Sequence, residues 1–574
     1  MLIQHLLTIR LFDTIFDNPD FVRRNVIAAE VEKVIDALAS KAFSREQFLK
    51  SLDRFYVAIE SAARVLGDDF TEKQHFLNTV YERFFQGYSV DVADTHGIVY
   101  TPQEIVDFMC ASVEEVLKTE FDKTLGSKDV NILDPCTGTG NFIVNLIRRV
   151  PKKDLKRVYV EQLFANEVML LPYYIAALNI EHAYFERTNE YEPFDGLCFV
   201  DTLDMAEGPQ KKLGFMTEGN TVRVERQRKA PITVIIGNPP YNVGQLNEND
   251  NNKNRKYPTV DKRVRDTYAK DSSATLKSQL YDPYVKFFRW ATDRLQGRDG
   301  IVCFVSNNSF VEQVAFDGMR KQLLQDFTAI YHVHLEGNVR QNPTLAGTTY
   351  NVFGIQVGVG VTVAVRLADH PTRELFFTRI EKTLRKELKL SWLASHERLS
   401  GIKWQKLRPD ARHTWLASAS SSKFNTFIAV ASKEVKAAEL SSDDVVFKTY
   451  SPGVNTGRDS VVYGPNKTEL AERIARICDI YNGEVDRYKR IGASKSVDDF
   501  VDYETIKWSE HLKYCLRRHT YATFDQNNLR ECMYRPFNRM NLYYDSVMND
   551  RPGLFQSFFP HRKRANDNLA VAHS

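Results

Sequence analysis

Between Asn131 and Arg366 the chain alternates β-branched runs (NILD, RVYVEQLFANE, ITVIIGNPP, GIVCFVSN, FGIQVGVGVTVAV) with segments of helical spacing such as IVNLIRR and LLPYYIAALNI. Two parallel strands need a crossover of about a dozen residues, usually a helix, so this alternation commits the segment to an α/β domain on a mostly parallel sheet. The flanks follow other rules. Residues 1–95 place apolar side chains at helical spacing, as in VIAAEVEKVIDAL and QFLKSLDRFYVAIESAARVL, and predict a helical domain. Residues 376–574 interleave aromatic and basic side chains, as in YCLRRHTYATF, YRPFNRMNLYY and FFPHRKR, and predict a mixed α+β domain. With the α/β domain at 96–375, three domains account for the 574 residues. The polar stretch Gly244–Ser273 predicts a long loop.

Hydrophobic residues at 43% and charged residues at 26% exclude a disordered or fibrous chain. The longest weakly polar run, Val352–Val365, has 14 residues, short of the roughly 20 that a transmembrane helix needs. The apolar start MLIQHLLTIRLF contains His5 and Arg10 and lacks a small-residue cleavage site, so it predicts an amphipathic helix rather than a signal peptide. A cytoplasmic protein with no membrane partner is expected. The seven cysteines form no CxxC pair and no zinc spacing, which predicts neither disulfide nor metal. Charge is uneven: from Glu381 onward 32 Lys+Arg face 24 Asp+Glu, a net of +8, against −5 for the rest. A polyanion partner for the C-terminal part accounts for this, as does a solvated basic surface.

Two bends carry the chemistry. In NILDPCTGTGNFIVNLIRR a strand ends at Asp134, a Gly-rich turn follows, and a helix opens at Asn141. Gly138 and Gly140 let a ligand approach the backbone, and the helix N-terminus favours an anionic group, so a nucleotide-like cofactor is expected. Ile143 stands where a dinucleotide fingerprint requires its third glycine, and no Lys-Ser or Lys-Thr completes a Walker A motif. About 100 residues later another strand ends in IIGNPPY. Two prolines hold this bend out of helix and sheet. The Asn238 side-chain oxygen and the Pro239 carbonyl would accept the two hydrogens of a planar amine, with Tyr241 stacked on its ring and Pro240 stiffening the corner. Accepting those protons makes the nitrogen more nucleophilic, and no covalent nucleophile is needed. Cys136 lies within the first bend and reads as a small packing residue.

These two bends, in this order, resemble the adenine-N6 DNA methyltransferases that use S-adenosylmethionine. The resemblance implies a Rossmann-like methyltransferase domain with a helical segment before it and a recognition domain after it. It implies that Tyr100, Thr101 and Pro102, in GIVYTPQEIVDFM, border the methionine part of the cofactor. Asp134, Pro135, Thr137, Gly138, Gly140, Asn141 and Phe142 then form the cofactor turn, Glu167 holds the ribose hydroxyls and Asp201 contacts the cofactor's adenine. The helical start DNPDFVRRNVIAAEVEKVIDAL, with the core and C-terminal region, is similar to the coupler, methyltransferase and recognition part of Type ISP restriction-modification enzymes. No Walker A motif or nuclease segment precedes residue 1, so a nuclease and helicase partner or a missing motor segment is implied. The chain is then a fragment, a split gene product or a stand-alone enzyme with an incomplete recognition domain.

Double-stranded DNA is the expected partner, and a stacked adenine must be flipped out to reach such a corner. Phe353, in NVFG, is a weaker candidate for a second pocket wall, and a core phenylalanine is the favoured alternative. Arg517, Arg518, Arg535, Arg539, Arg562, Lys563 and Arg564 are expected mostly on phosphates. Two alternatives stay open: a protein glutamine methyltransferase, since the corner accepts any planar amide or amine, and a catalytically silent DNA-binding fragment of a larger enzyme.

Overall fold

The computed structural model describes residues 5, 25–39, 50, 57, 61, 101–207, 218–240, 256–274, 276–339, 350–368, 370–416, 426–437, 445–491, 497–503, 505–535, 538–551 and 553–554. The chain divides into two compact units, residues 1–244 with 255–417, and residues 245–254 with 418–574.

In the first unit, helix α1 (Val26–Ala39) starts where the Asn25 side chain accepts from the Ile27 and Ala28 N–H groups, and it buries Ile27, Val31 and Ile35 at helical spacing. The remaining longer helices are α2 (Gln103–Phe121), α3 (Asn141–Arg149), α4 (Leu170–Thr188), α5 (Glu218–Lys229), α6 (Pro258–Val264), α7 (Pro283–Arg294), α8 (Asp317–Asp326) and α9 (Lys386–His396). They accompany nine strands: β1 (Asn131–Asp134), β2 (Leu163–Glu167), β3 (Leu197–Phe199), β4 (Ile232–Gly237), β5 (Gly300–Asn307), β6 (Ala329–His334), β7 (Val359–Arg366), β8 (Glu374–Arg379) and β9 (Gln405–Leu407). The strands form one sheet in the order β3-β2-β1-β4-β5-β7-β6-β8-β9. The first five are parallel, and β7 runs antiparallel between β5 and β6. Every residue of β1, β2, β4 and β5 is buried, as a sheet covered by helices on both faces requires. Strand order reverses between β1 and β4, and ligands of open parallel sheets bind at such a switch, beyond the strands' C-terminal ends.

The structure corrects three sequence expectations. In RVYVEQLFANE the strand begins only at Leu163, because Val158–Gln162 closes as a helical turn. Gly244–Ser273 is not loop throughout: α6 starts with Pro258 in its first turn, and Val260, Val264 and Tyr268 form a buried stripe at four-residue spacing. The sheet also continues past residue 375, since β8 pairs with β6 and β9 with β8, and α9 still belongs to this unit.

The second unit has a three-stranded antiparallel sheet, β10 (Tyr463–Gly464), β12 (Asn538–Tyr543) and β11 (Leu529–Arg535), in that spatial order. Helix α10 (Lys467–Ile491) buries Leu470, Ile474, Cys478, Tyr481 and Val485 along one stripe, and α11 (Glu510–Arg517) is capped by the Ser509 hydroxyl, which accepts from Leu512 N–H at 3.1 Å. Trp508 and Leu512 join the same core. Among the described residues no helix is long and apolar enough to cross a membrane.

Candidate active site

The two bends are in contact. β1 and β4 are neighbours, with Leu133 opposite Ile235, so Asp134-Pro135 and Gly237-Asn238 leave the sheet side by side. A Cβ at Gly237 would lie 2.8 Å from Asp134 Oδ1 and 3.3 Å from the Pro135 ring, so only glycine allows the approach. Asn238 Nδ2 donates to the Thr101 hydroxyl at 2.9 Å, which leaves Asn238 Oδ1 buried with no hydrogen-bond partner among the described residues. Pro239 is buried and Pro240 half-buried, and neither has an N–H to spend on a neighbour. Thr101 owes its position to α2, whose first turn hangs from the Pro102 carbonyl.

The glycines of the first bend have different duties. Gly138 has φ +55° and nothing among the described residues within 4 Å of where a side chain would begin, so on that side the turn is open. Gly140, at φ +91°, lies against α4, where a Cβ would meet Ile180 at 3.1 Å and Ala176 at 3.3 Å. Gly140 therefore sets the approach of the turn to a helix, while Gly138 leaves the cleft open. Asn179 of α4 donates to the Thr139 carbonyl at 2.9 Å, and Asn141 and Phe142 begin α3 buried.

Two carboxylates flank the opening. Glu167, at the end of β2, accepts from Gly138 N–H at 2.9 Å and Met169 N–H at 2.7 Å. Asp134 accepts from Cys136 N–H at 3.1 Å through Oδ1, and its Oδ2 is buried with no hydrogen-bond partner among the described residues. Burial pushes both up to about 7, against the lowering by those N–H groups and, for Asp134, by the nearby Thr137 hydroxyl. Burial likewise drives the Cys136 thiol well above its usual range, and the Asp134 and Glu167 carboxylates add to the shift, so this sulfur is no nucleophile.

Asp201 follows β3. Its Oδ1 accepts from Leu203 N–H at 3.0 Å and its Oδ2 from the Tyr257 hydroxyl at 2.9 Å. Sequence reasoning missed Tyr257, which stands inside the polar stretch Gly244–Ser273, and also Thr202, whose hydroxyl donates to the Pro135 carbonyl while accepting from Asn166 Nδ2 at 3.0 Å. Thr202 lies next to Asp201 in VDTLD, but only the fold shows that it ties the β3 end to the β1 bend.

Tyr100 and Tyr241 lie outside the described residues. Phe353 is partly buried and packs against the main core. Arg517 ends α11, Arg518 follows it and Arg539 lies on β12, all three exposed; Arg518 donates to the Tyr514 hydroxyl at 2.6 Å and Arg539 pairs with Glu531 at 3.5 Å. Arg535 closes β11, its side chain outside the described residues, as are Arg562, Lys563 and Arg564.

Three family models match the chain: the Type ISP restriction-modification enzyme coupler domain over residues 1–70, N-6 DNA Methylase over 72–333, and the Type ISP C-terminal specificity domain over 445–574. Among solved structures, a DrdV–DNA complex is 37% identical with a TM-score of 0.85, covering 98% of this chain and 54% of that one. A nuclease-deletion mutant of the Type ISP enzyme LlaGI with a DNA substrate mimic is 33% identical, with a TM-score of 0.83, over 98% of this chain and 45% of that one. The ATP-dependent Type ISP enzyme LlaBIII bound to DNA is 32% identical, with a TM-score of 0.83, over 97% of this chain and 37% of that one. The chain thus spans about half or less of each of these proteins. No curated protein matches it.

Proposed function

The chain carries the coupler, N-6 DNA methylase and specificity segments of the Type ISP restriction-modification enzymes, and from that premise we propose that it methylates the N6 amine of adenine within a specific duplex DNA sequence, using S-adenosylmethionine. The observation that carries this reading is Asn238 Oδ1, an orphaned acceptor held by Thr101 beside the Asp134–Gly138 opening.

The residues present fit the cofactor. Asp134 Oδ2 is a buried acceptor without a donor, Gly138 leaves space for a ligand, and Glu167 and Asp201 stand at the ends of the next two strands. Thr101, Pro102, Asp134, Gly138, Glu167 and Asp201 would hold it, Glu167 through the ribose hydroxyls and Asp201 through the adenine. When bound, it supplies an electrophilic methyl group on a sulfonium.

The rest is done by this chain. A stacked adenine cannot reach the corner, so the base is extruded at a cost of roughly a few kcal/mol. Asn238 Oδ1 and the Pro239 carbonyl accept the two amine hydrogens, which localises the lone pair on nitrogen and stabilises charge as it develops. Tyr241 stacks on the base, and Phe353 supplies the other wall. Sequence reading is assigned to the residues after 417, with exposed arginines such as Arg517, Arg518 and Arg539 on phosphates. The enzyme acts in the cytoplasm in a restriction-modification setting, with a nuclease and motor segment as its partner.

Tritiated-methyl transfer tests the reading. Label is expected in unmethylated duplex DNA, with Asn238→Ala inactive yet able to bind cofactor by calorimetry. Label in protein alone would move the reaction to glutamine amides, and failure to bind the cofactor would leave a silent DNA-binding module.

A further inference from the structure

Residues 335–339, which leave β6, and 350–358, which lead into β7, lie at the C-terminal edge of the parallel strands, the edge on which β4 ends in the Asn238 bend. The base of this connection is tied to the end of β5, the neighbour of β4, because Asn308 N–H donates to the Gly358 carbonyl at 2.9 Å. Phe353 sits on its returning limb.

One ammonium joins the two limbs. Lys389, in α9, is 0% exposed, and its Nζ donates to the Leu335 carbonyl at 2.8 Å and to the Tyr350 carbonyl at 2.7 Å. Leu335 opens the connection and Tyr350 belongs to its return. Next to Tyr350, the buried Asn351 shapes the turn from within. Its Nδ2 donates to the Val357 carbonyl at 2.6 Å, and its Oδ1 accepts from Phe353 N–H at 2.9 Å. Gly337, at φ +88°, brings the outgoing limb so close that a Cβ there would lie 2.9 Å from Asn351 Cα. Gly354 follows Phe353 with φ +74°, and nothing among the described residues lies within 4 Å of where its side chain would begin.

Packing alone does not call for a lysine here. An apolar side chain would fill the volume without desolvating a charge, and that desolvation pulls Lys389 down to about 8 despite the opposing Glu336 carboxylate. The two carbonyls do call for it. Without the ammonium both would be left unsatisfied and the limbs would part.

We propose that Lys389 is a positioning residue for methyl transfer: its ammonium clamps both limbs of the β6–β7 connection and so holds Phe353 as the second wall of the flipped-base pocket. This rests on the DNA-methylating reading above. It draws into the reaction a helix that lies outside the matched methylase segment, residues 72–333.

A double-mutant cycle on the full chain tests the clamp, with Lys389→Met and Phe353→Ala read as tritiated-methyl transfer to unmethylated phage DNA at saturating cofactor and DNA. Each single variant is expected to lower kcat at least about tenfold with cofactor Kd within about twofold of wild type, and the double variant is expected to be no slower than the slower single. A Lys389→Met rate close to wild type overturns the clamp, as do fold-losses that multiply. If Lys389→Met loses cofactor binding, the cycle is run with Asn351→Leu; multiplied losses there, or loss of cofactor binding in both variants, replace positioning with a purely structural role. A wild-type chain that labels no DNA would sink the function reading itself, and the wild-type reaction alone reveals that.

Discussion

The side-chain amide of Asn238 donates to the hydroxyl of Thr101 across 2.9 Å, although 137 residues separate them. The bond fixes the amide plane and leaves Oδ1 as the free acceptor. Thr101→Val keeps the shape and removes the partner, so the amide can rotate and present nitrogen where oxygen is needed. At saturating cofactor, transfer should fall roughly ten- to a hundredfold in kcat, beyond any loss of cofactor affinity, while Thr101→Ser stays near wild type. Equal rates for the valine and serine variants, by tritiated-methyl transfer, would remove Thr101 from this role.

Valine at each glycine of the first bend separates their duties. Gly138→Val puts its branches into open space, so the fold survives with about 1–2 kcal/mol of backbone strain while cofactor binding is blocked. Gly140→Val drives the same branches into Ile180 and the Ala176 backbone, so it should lower the melting temperature more than Gly138→Val does. Calorimetry with the cofactor and thermal melting of both variants decide this. Gly138→Val binding the cofactor normally would show that the opening lies elsewhere.

How much of this was legible beforehand depended on how local the cause is. Positive φ at Gly138 and the missing N–H of Pro239 and Pro240 are properties of single residues, so both bends could be placed from the chain alone, as could the ends of β1 and β4. What failed was non-local. ELFFTR becomes β8 because β6 lies beside it, and the basic composition that follows conceals that the sheet continues. Tyr257 reaches Asp201, and Lys389 reaches Leu335 and Tyr350, only through the tertiary fold. Nothing in a lysine's neighbours along the chain distinguishes a buried clamp from a solvated charge.

Cys136 offers a control, because a Pro-Cys pair in a methyltransferase invites a covalent reading. Its thiol is held well above the usual range by burial, with Asp134 and Glu167 adding to the effect, so it stays protonated at neutral pH. Cys136→Ala should therefore retain transfer within about threefold of wild type, the loss reflecting packing alone. Abolished transfer with cofactor affinity intact would make the thiol a participant and overturn the amine-acceptor chemistry assigned to Asn238.

The two buried carboxylates make cofactor binding depend on pH. Asp134 and Glu167 sit at about 7 in the folded chain, well above their ordinary 3.8 and 4.5, so both are largely protonated at pH 6. A cationic sulfonium and amine favour ionised Asp134, and ribose hydroxyls favour Glu167 as an acceptor. Binding at pH 6 should therefore release protons, and affinity should climb as pH rises towards about 7, a range in which the cofactor's α-amine, ordinarily titrating at about 7.7–8.0, stays largely protonated. Without cofactor the sign for stability is opposite. Carboxyls raised by folding contribute stability that is present below their unfolded values and lost as pH rises through about 7. Calorimetry in two buffers of different ionisation enthalpy measures the proton release, and thermal melting from pH 5 to 8 measures the slope. Asp134→Asn and Glu167→Gln should each flatten both dependences. Wild-type binding that releases no proton at pH 6 would mean that neither carboxylate changes its charge when the cofactor enters.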